Sequence, residues 1–170
     1  MTIANDLLTD AFTRVRDSVH EAVADLTADQ LAFRPGERAN SIAWLVWHLA
    51  RVEDDHIATL AGTEQAWTAQ GWRDRFALPF PASETGYGHG PAQVAQVTPR
   101  SADLLVGYYD DVHRSTCSVL AGLSPDDFAR VVDGSWDPPV TLAVRLVSVV
   151  NDVTQHVGQA GYLRGLIDAR

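Results

Sequence analysis

The opening segment places apolar residues at Leu7, Leu8, Phe12, Val15, Val19 and Val23, the i, i+4, i+7 or i+8 spacing of an amphipathic helix. The spacing predicts a helix from about Ile3 to Leu26. Thr27 followed three residues later by Gln30 has the form of a capping box, so a short helical turn opens there and Pro35-Gly36 ends it. A second long helix is expected from near Ser41, with Asn40 or Ser41 as its cap, to about Leu60, and Gly62 suits its stop. Its first half, "SIAWLVWHLA", is apolar nearly all round and is therefore expected to be buried on most sides.

Pro79, Pro81, Pro91, Pro99 and several glycines then break the periodicity. A short helix between about Gln65 and Phe76 is predicted, and the remainder reads as a long crossover, a kind of segment that often lines functional sites. A third helix runs from about Ser101 to Leu120 on Leu104, Leu105, Tyr108, Tyr109, Val112 and Cys117. "SPDDFARVV" reads as another capped short helix with Ser124 as cap and Pro125 in first position, and "DGSWDPPV" as a turn region. The fourth helix begins near Val140 or Thr141, after Pro138-Pro139, and continues to about Ile167. The expectation is an all-α chain forming one domain over residues 1–170. It is a four-helix bundle with a long crossover between its second and third helices. Bundles of this kind build metal and cofactor sites from side chains on facing helices.

A net charge of −9 removes the basic surface that nucleic-acid binding needs. No apolar run reaches the roughly 18 residues needed to span a membrane, and the N-terminus lacks the basic start and unbroken apolar centre of a signal peptide. The expectation is a cytoplasmic protein with a small-molecule partner; a homodimer suits a bundle of this size. The single cysteine, Cys117, excludes an internal disulfide and any multi-cysteine metal site, and its place in a helix suits a buried inert thiol.

Candidate chemistry begins with "NDVTQHVGQAGYLRG", where Asp152 and His156 stand four apart. Four residues advance a helix by about 400°, so the two side chains lie one turn apart on one side, where a single cation can touch both. The plain alternative is a surface pair with no function. A catalytic metal usually takes three protein ligands and keeps one position open. The best third candidate is His48, in the apolar half of the second helix, where an imidazole must find a polar partner or a cation. A core histidine bonded to a carbonyl would satisfy the same need, but with Asp152 and His156 on another helix the metal reading is preferred.

His56, eight residues beyond His48, lies some 12 Å further along the helix and reads as a solvent or pocket residue. Asp55 suits pocket lining or support of a ligand from behind, or is simply a solvated acid. Arg145 either anchors an anionic substrate or pairs with an acid such as Asp55. Gln159 either supports a ligand or hydrogen-bonds within the bundle. His20, His89 and His113 have no helical partner pointing to a site.

"SIAWLVWHLARVEDDHI" together with "QHVGQAGYLRG" resembles the DinB-like superfamily over essentially the whole chain. Within it the chain looks closest to an actinobacterial branch of domains of unknown function, related to mycothiol-dependent maleylpyruvate isomerase and bacillithiol transferases. The resemblance implies a four-helix bundle in up-up-down-down order. It also implies a metal site of one histidine on the second helix and two ligands on the last. His48 and His156 match the outer ligands, and Asp152 stands where most of the family has histidine and the mycothiol-dependent branch has glutamate. Asp is one methylene shorter than Glu, so this departure bears on metal affinity. The implied cofactor is a divalent ion, zinc by default, with nickel, iron, cobalt and manganese sharing the donor preference. The implied activity is S-transfer or isomerisation of a small electrophilic substrate with a mycothiol-type co-substrate. A hydrolase using the bound water, or a non-enzymatic bundle that binds a metal or small molecule, are the alternatives.

Overall fold

The computed structural model describes residues 2–169. Among the described residues there are eight α-helices: α1 Ile3–Val23, α2 Ala28–Leu31, α3 Ile42–Ala61, α4 Ala66–Ala69, α5 Trp72–Phe76, α6 Pro91–Val94, α7 Ala102–Ala121 and α8 Leu142–Asp168. A 3-10 turn at Pro125–Ala129 and an antiparallel pair, β1 Val131–Asp133 with β2 Val140–Thr141, connect α7 to α8. The fold is all-α, as expected for a DinB-like chain.

Local chemistry sets the boundaries. The capping box forms as the sequence predicts, with Gln30 N donating to Thr27 Oγ1 at 3.3 Å and Thr27 N donating to Gln30 Oε1 at 2.9 Å. Ser41 Oγ caps α3 by accepting from Trp44 N at 3.1 Å, and Gly62 ends it in the left-handed region at φ 67°. Thr141 Oγ1 caps α8 by accepting from Val144 N. The predicted helix over Gln65–Phe76 is two shorter ones, because Gly71 at φ 71° breaks it. "SPDDFARVV" is not a single short helix: the 3-10 turn stops at Ala129 and Val131–Asp133 turns into β1.

The four long helices form a square in which α1 and α3 each pack against both α7 and α8. The apolar stripe of α8, Leu142, Leu146, Val149, Val153, Val157, Ala160, Leu163 and Ile167, recurs every three or four residues and is buried throughout. Burial of each of these Leu, Val and Ile side chains contributes about 1.5–3 kcal/mol. Every residue from Ile42 to Arg51 is buried, which is the all-round burial its apolar pattern predicts. Asn5 reaching Leu120 O, and His20 reaching Asp110, make α1 and α7 antiparallel. The edge-to-face contact of His48 with His156, and the shared cavity wall of His56 and Ser148, make α3 and α8 antiparallel. Arg164 reaches Ala24 O at the far end of α1, so α1 and α8 run together. The helix order is therefore up, down, down, up rather than up-up-down-down. The physical reason is the crossover over 62–101: it returns the chain along the length of the bundle, so α3 and α7 share a direction. No helix among the described residues is long and apolar enough to cross a membrane.

Candidate metal centre

The crossover does more than connect. Arg51, fully buried, donates to Glu84 O at 3.1 Å, Ala82 O at 3.0 Å and Gln65 Oε1 at 2.8 Å. Asp54, one turn on, accepts from Ala66 N and Trp67 N at 2.8 Å each and from Tyr108 Oη at 2.9 Å. These charge-assisted bonds dock the crossover on α3. They bring Thr85 over His48, whose Nδ1 lies 2.5 Å from Thr85 O. A carbonyl only accepts, so the proton sits on Nδ1 and Nε2 keeps its lone pair. The ring is 5 % exposed and stacks on Trp44 with centroids 4.5 Å apart.

On α8, Asp152 and His156 flank the buried stripe. His156 Nδ1 lies 2.8 Å from its neighbour's main-chain oxygen, Asp152 O, and 3.3 Å from Asp152 Oδ2. One N–H serves one of these well, and the shorter contact to the carbonyl takes it. Nε2 of His156 is thereby free as an acceptor, and Asp152 Oδ2 is left buried with no hydrogen-bond partner among the described residues. The His48 and His156 rings meet edge to face with centroids 4.6 Å apart. One donor atom from each of His48, Asp152 and His156 lies within 4.8 Å of the others. The three residues singled out in the sequence thus converge, and the short aspartate side chain reaches the group.

The charges fit this arrangement. Burial pushes the His48 imidazole down, aided by His156 and His89 and opposed by Thr85 and Asp152. Burial acts to raise Asp152 as well, but the His156 contact and the imidazoles around it outweigh burial and hold the carboxyl below its ordinary range. For His156 burial lowers, the Asp152 contacts raise, and the raise prevails. Two imidazoles with open lone pairs and an anionic carboxylate are the donors a divalent cation takes.

A cavity of about 380 Å³ opens beside the group, within the size range of small-molecule sites. His48, Asp152, Asp55, His56, Thr85 and Tyr87 help line it. Asp55 accepts from Gln65 Nε2 through Oδ1 at 2.7 Å. His56 lies outside the three-donor group and lines the cavity, and burial and then Arg145 push its imidazole down. Arg145 makes the expected ion pair, but with Asp133 at 3.1 Å rather than with Asp55: the hairpin reaches it first. Gln159 is exposed, makes no hydrogen bond to these residues and lies outside the cavity wall.

Sequence reasoning passed over several contributors. Arg51 and Asp54 position the crossover, and nothing in helical periodicity marks a loop carbonyl as their target. His89 accepts from Trp44 Nε1 at 3.2 Å and stacks on Trp47 with centroids 5.8 Å apart, backing the His48 wall. Its neighbours in sequence are glycines and a tyrosine, so no spacing signal exists there. Tyr87, 91 % exposed at the cavity mouth, was likewise invisible as a site residue.

The sequence model of the mycothiol-S-transferase family matches residues 7–169. A crystal structure of a conserved protein from Enterococcus faecalis shares the fold with a TM-score of 0.93 at 32% identity, covering 100% of this chain and 99% of that one. A search of curated proteins finds no match.

Proposed function

The chain belongs to the mycothiol-S-transferase family, and from that premise we propose that it is a metal-dependent transferase that joins a mycothiol-type thiol to a small electrophile. His48, Asp152 and His156 would hold the divalent ion, zinc by donor type. The observation that carries the reading is the convergence of their donor atoms within 4.8 Å at the edge of a cavity. The fit is supported by Asp152 Oδ2, a buried acceptor with no hydrogen-bond partner among the described residues, and by two Nε2 lone pairs left open by carbonyl contacts at Nδ1. When bound, such an ion supplies the positive charge that lets a thiol ionise at neutral pH.

The chain's own residues do the rest. Thr85 O fixes the His48 tautomer and ring orientation, and Asp152 O does the same for His156. Trp44 packs on His48 and screens it from water. The cavity brings thiol and electrophile together, which removes the entropy of encounter from the barrier. In the transfer, sulfur forms a bond to the electrophilic carbon while that carbon's bond to its leaving group breaks with the electron pair. The thiol proton passes to solvent through the cavity mouth. A reduced thiol pool of this kind belongs to the cytoplasm, where the protein is proposed to act.

The test mixes purified metal-loaded protein with mycothiol and a panel of electrophiles, beside a His48→Ala variant. Elemental analysis of native protein and of His156→Ala runs in parallel. The reading expects about one ion per native chain, less in the variant, and thiol consumption only in the native protein. No metal in native protein, or equal thiol consumption by His48→Ala, would remove it.

A further inference from the structure

The cavity does not end at the candidate metal donors. Asp55 and His56 line it and also line an adjoining recess bounded by Val132, Asp133 and Arg145. The two spaces share these walls, and the pair of them, hereafter the groove, has the donor group beside one and the β1 hairpin beside the other. Its polar character is defined by which groups are already satisfied. Arg145, the cation in the recess, is neutralised by Asp133 at 3.1 Å. Asp55 makes no ion pair among the described residues. Its Oδ1 accepts from the uncharged Gln65 amide at 2.7 Å, and its Oδ2 has no protein hydrogen bond among the described residues. Gln65 is itself held by Arg51 at 2.8 Å, so the Asp55 carboxylate is oriented from behind.

Tyr87 forms the outer lip. Tyr87 is 91 % exposed although it helps line the cavity, and it sits between Gly86 at φ 93° and Gly88 at φ 75°. A large aromatic so exposed at a cavity mouth contributes little to the core. It offers a flat face with the polar hydroxyl at its edge. Ser148 and Thr85 add neutral hydrogen-bonding groups to the wall.

Resting on the transferase reading above, we infer that this groove seats the uncharged, polyhydroxylated part of the thiol co-substrate, with the Asp55 carboxylate accepting from its hydroxyls and the Tyr87 ring covering a sugar face. Hydroxyl groups donate to a free carboxylate oxygen in charge-assisted bonds. An anionic thiol, such as a peptide thiol carrying free carboxylates, meets the unneutralised Asp55 and finds no unpaired arginine. The groove thus selects among low-molecular-weight thiols by charge as well as by shape, as complementary surfaces do. On the same inference Arg145, paired with Asp133, ties the hairpin in place and does not anchor an anion.

The experiment uses thiol-blocked probes, so that binding is read apart from sulfur chemistry. S-methyl mycothiol (neutral, polyhydroxylated) and S-methyl glutathione (anionic) are titrated calorimetrically into metal-loaded native protein, Asp55→Ala, Asp55→Asn and Tyr87→Ala. Metal content and melting curves are recorded for each. Native protein is expected to bind S-methyl mycothiol and to bind S-methyl glutathione at least about tenfold more weakly. Asp55→Ala is expected to weaken S-methyl mycothiol about tenfold or more, the loss of hydrogen bonds to a charged acceptor. Asp55→Asn is expected to narrow the gap between the two probes, and Tyr87→Ala to weaken the neutral probe several-fold with unchanged melting. In turnover with mycothiol, KM should rise in Asp55→Ala while kcat holds. Equal affinities for the two probes in native protein, or an Asp55→Ala variant of unchanged affinity and KM, overturns the inference and leaves the transferase reading standing. No binding of either probe together with no consumption of mycothiol overturns both.

Discussion

Gly86 lies so close to His48 that a β-carbon on it would stand 2.8 Å from the imidazole Nδ1, and 3.0 Å from the Trp47 ring. Its φ of 93° is also in the region where side-chain-bearing residues are strained. Gly86→Ala is therefore expected to destabilise the protein by about 1–3 kcal/mol and to push Thr85 O off Nδ1. Denaturant unfolding reads the first effect. A drop in divalent-metal affinity, measured by competition with a chromogenic chelator, reads the second. Unchanged values of both would show that the crossover adapts without disturbing His48.

Asp152→Asn keeps the size of the side chain and removes its charge. The metal affinity is expected to fall at least about tenfold, since even groups that merely support ligands are worth that much. In metal-free protein the Asp152 contacts hold the His156 pKa up against burial, so the variant should titrate His156 at lower pH. NMR of the imidazole protons follows it directly, and an unmoved titration would separate the two residues.

Arg51→Met removes the donor to the carbonyls of Ala82 and Glu84 and to Gln65, all inside the protein. Breaking a buried charged network by deleting one partner costs about 3–5 kcal/mol. The expected outcome is a lower unfolding midpoint and rapid proteolytic cleavage between residues 77 and 100, with helices α1 and α8 protected. Cleavage spread evenly along the chain would contradict the docking role.

Glu53 is fully buried, and burial raises its pKa from 4.5 to about 7 against the bonds donated by Thr116 and Tyr109. Below pH 4.5 folded and unfolded chains both bind this proton. Between 4.5 and about 7 only the folded chain does, so unfolding releases it and stability falls as pH rises through that window, then levels. Glu53→Gln should flatten that slope by an amount on the order of a few kcal/mol. Urea unfolding of both proteins from pH 4.5 to 8 checks it; parallel curves would assign the slope elsewhere.

The long helices were legible because burial imposes a 3.6-residue period on them, seen most plainly in the α8 stripe and the all-round burial of Ile42–Arg51. Thr27, Ser41, Gly62 and Thr141 marked ends because capping is local chemistry. The α8 pair of Asp152 and His156 was visible for the same reason, being one turn apart on one helix. What stayed hidden depends on contacts distant in sequence. The direction of α7 relative to α3 follows from how the crossover packs. The partner of Arg145 is set by a hairpin whose strands are only three and two residues long. Gln159 shares a helix with the donors, but spacing alone did not reveal that its side turns to solvent.

The anchors that α3 extends to residues 82–85 of the crossover end on main-chain oxygens: Ala82 and Glu84 for Arg51, Thr85 for His48. Every amino acid carries such an oxygen. Whereas Gln65 and His89 hold the crossover through their side chains, those of Ala82, Glu84 and Thr85 are therefore released from the duty of holding that stretch in place. Mutation can rewrite them, and with them the list of molecules the protein accepts, while the scaffold beneath stays in register.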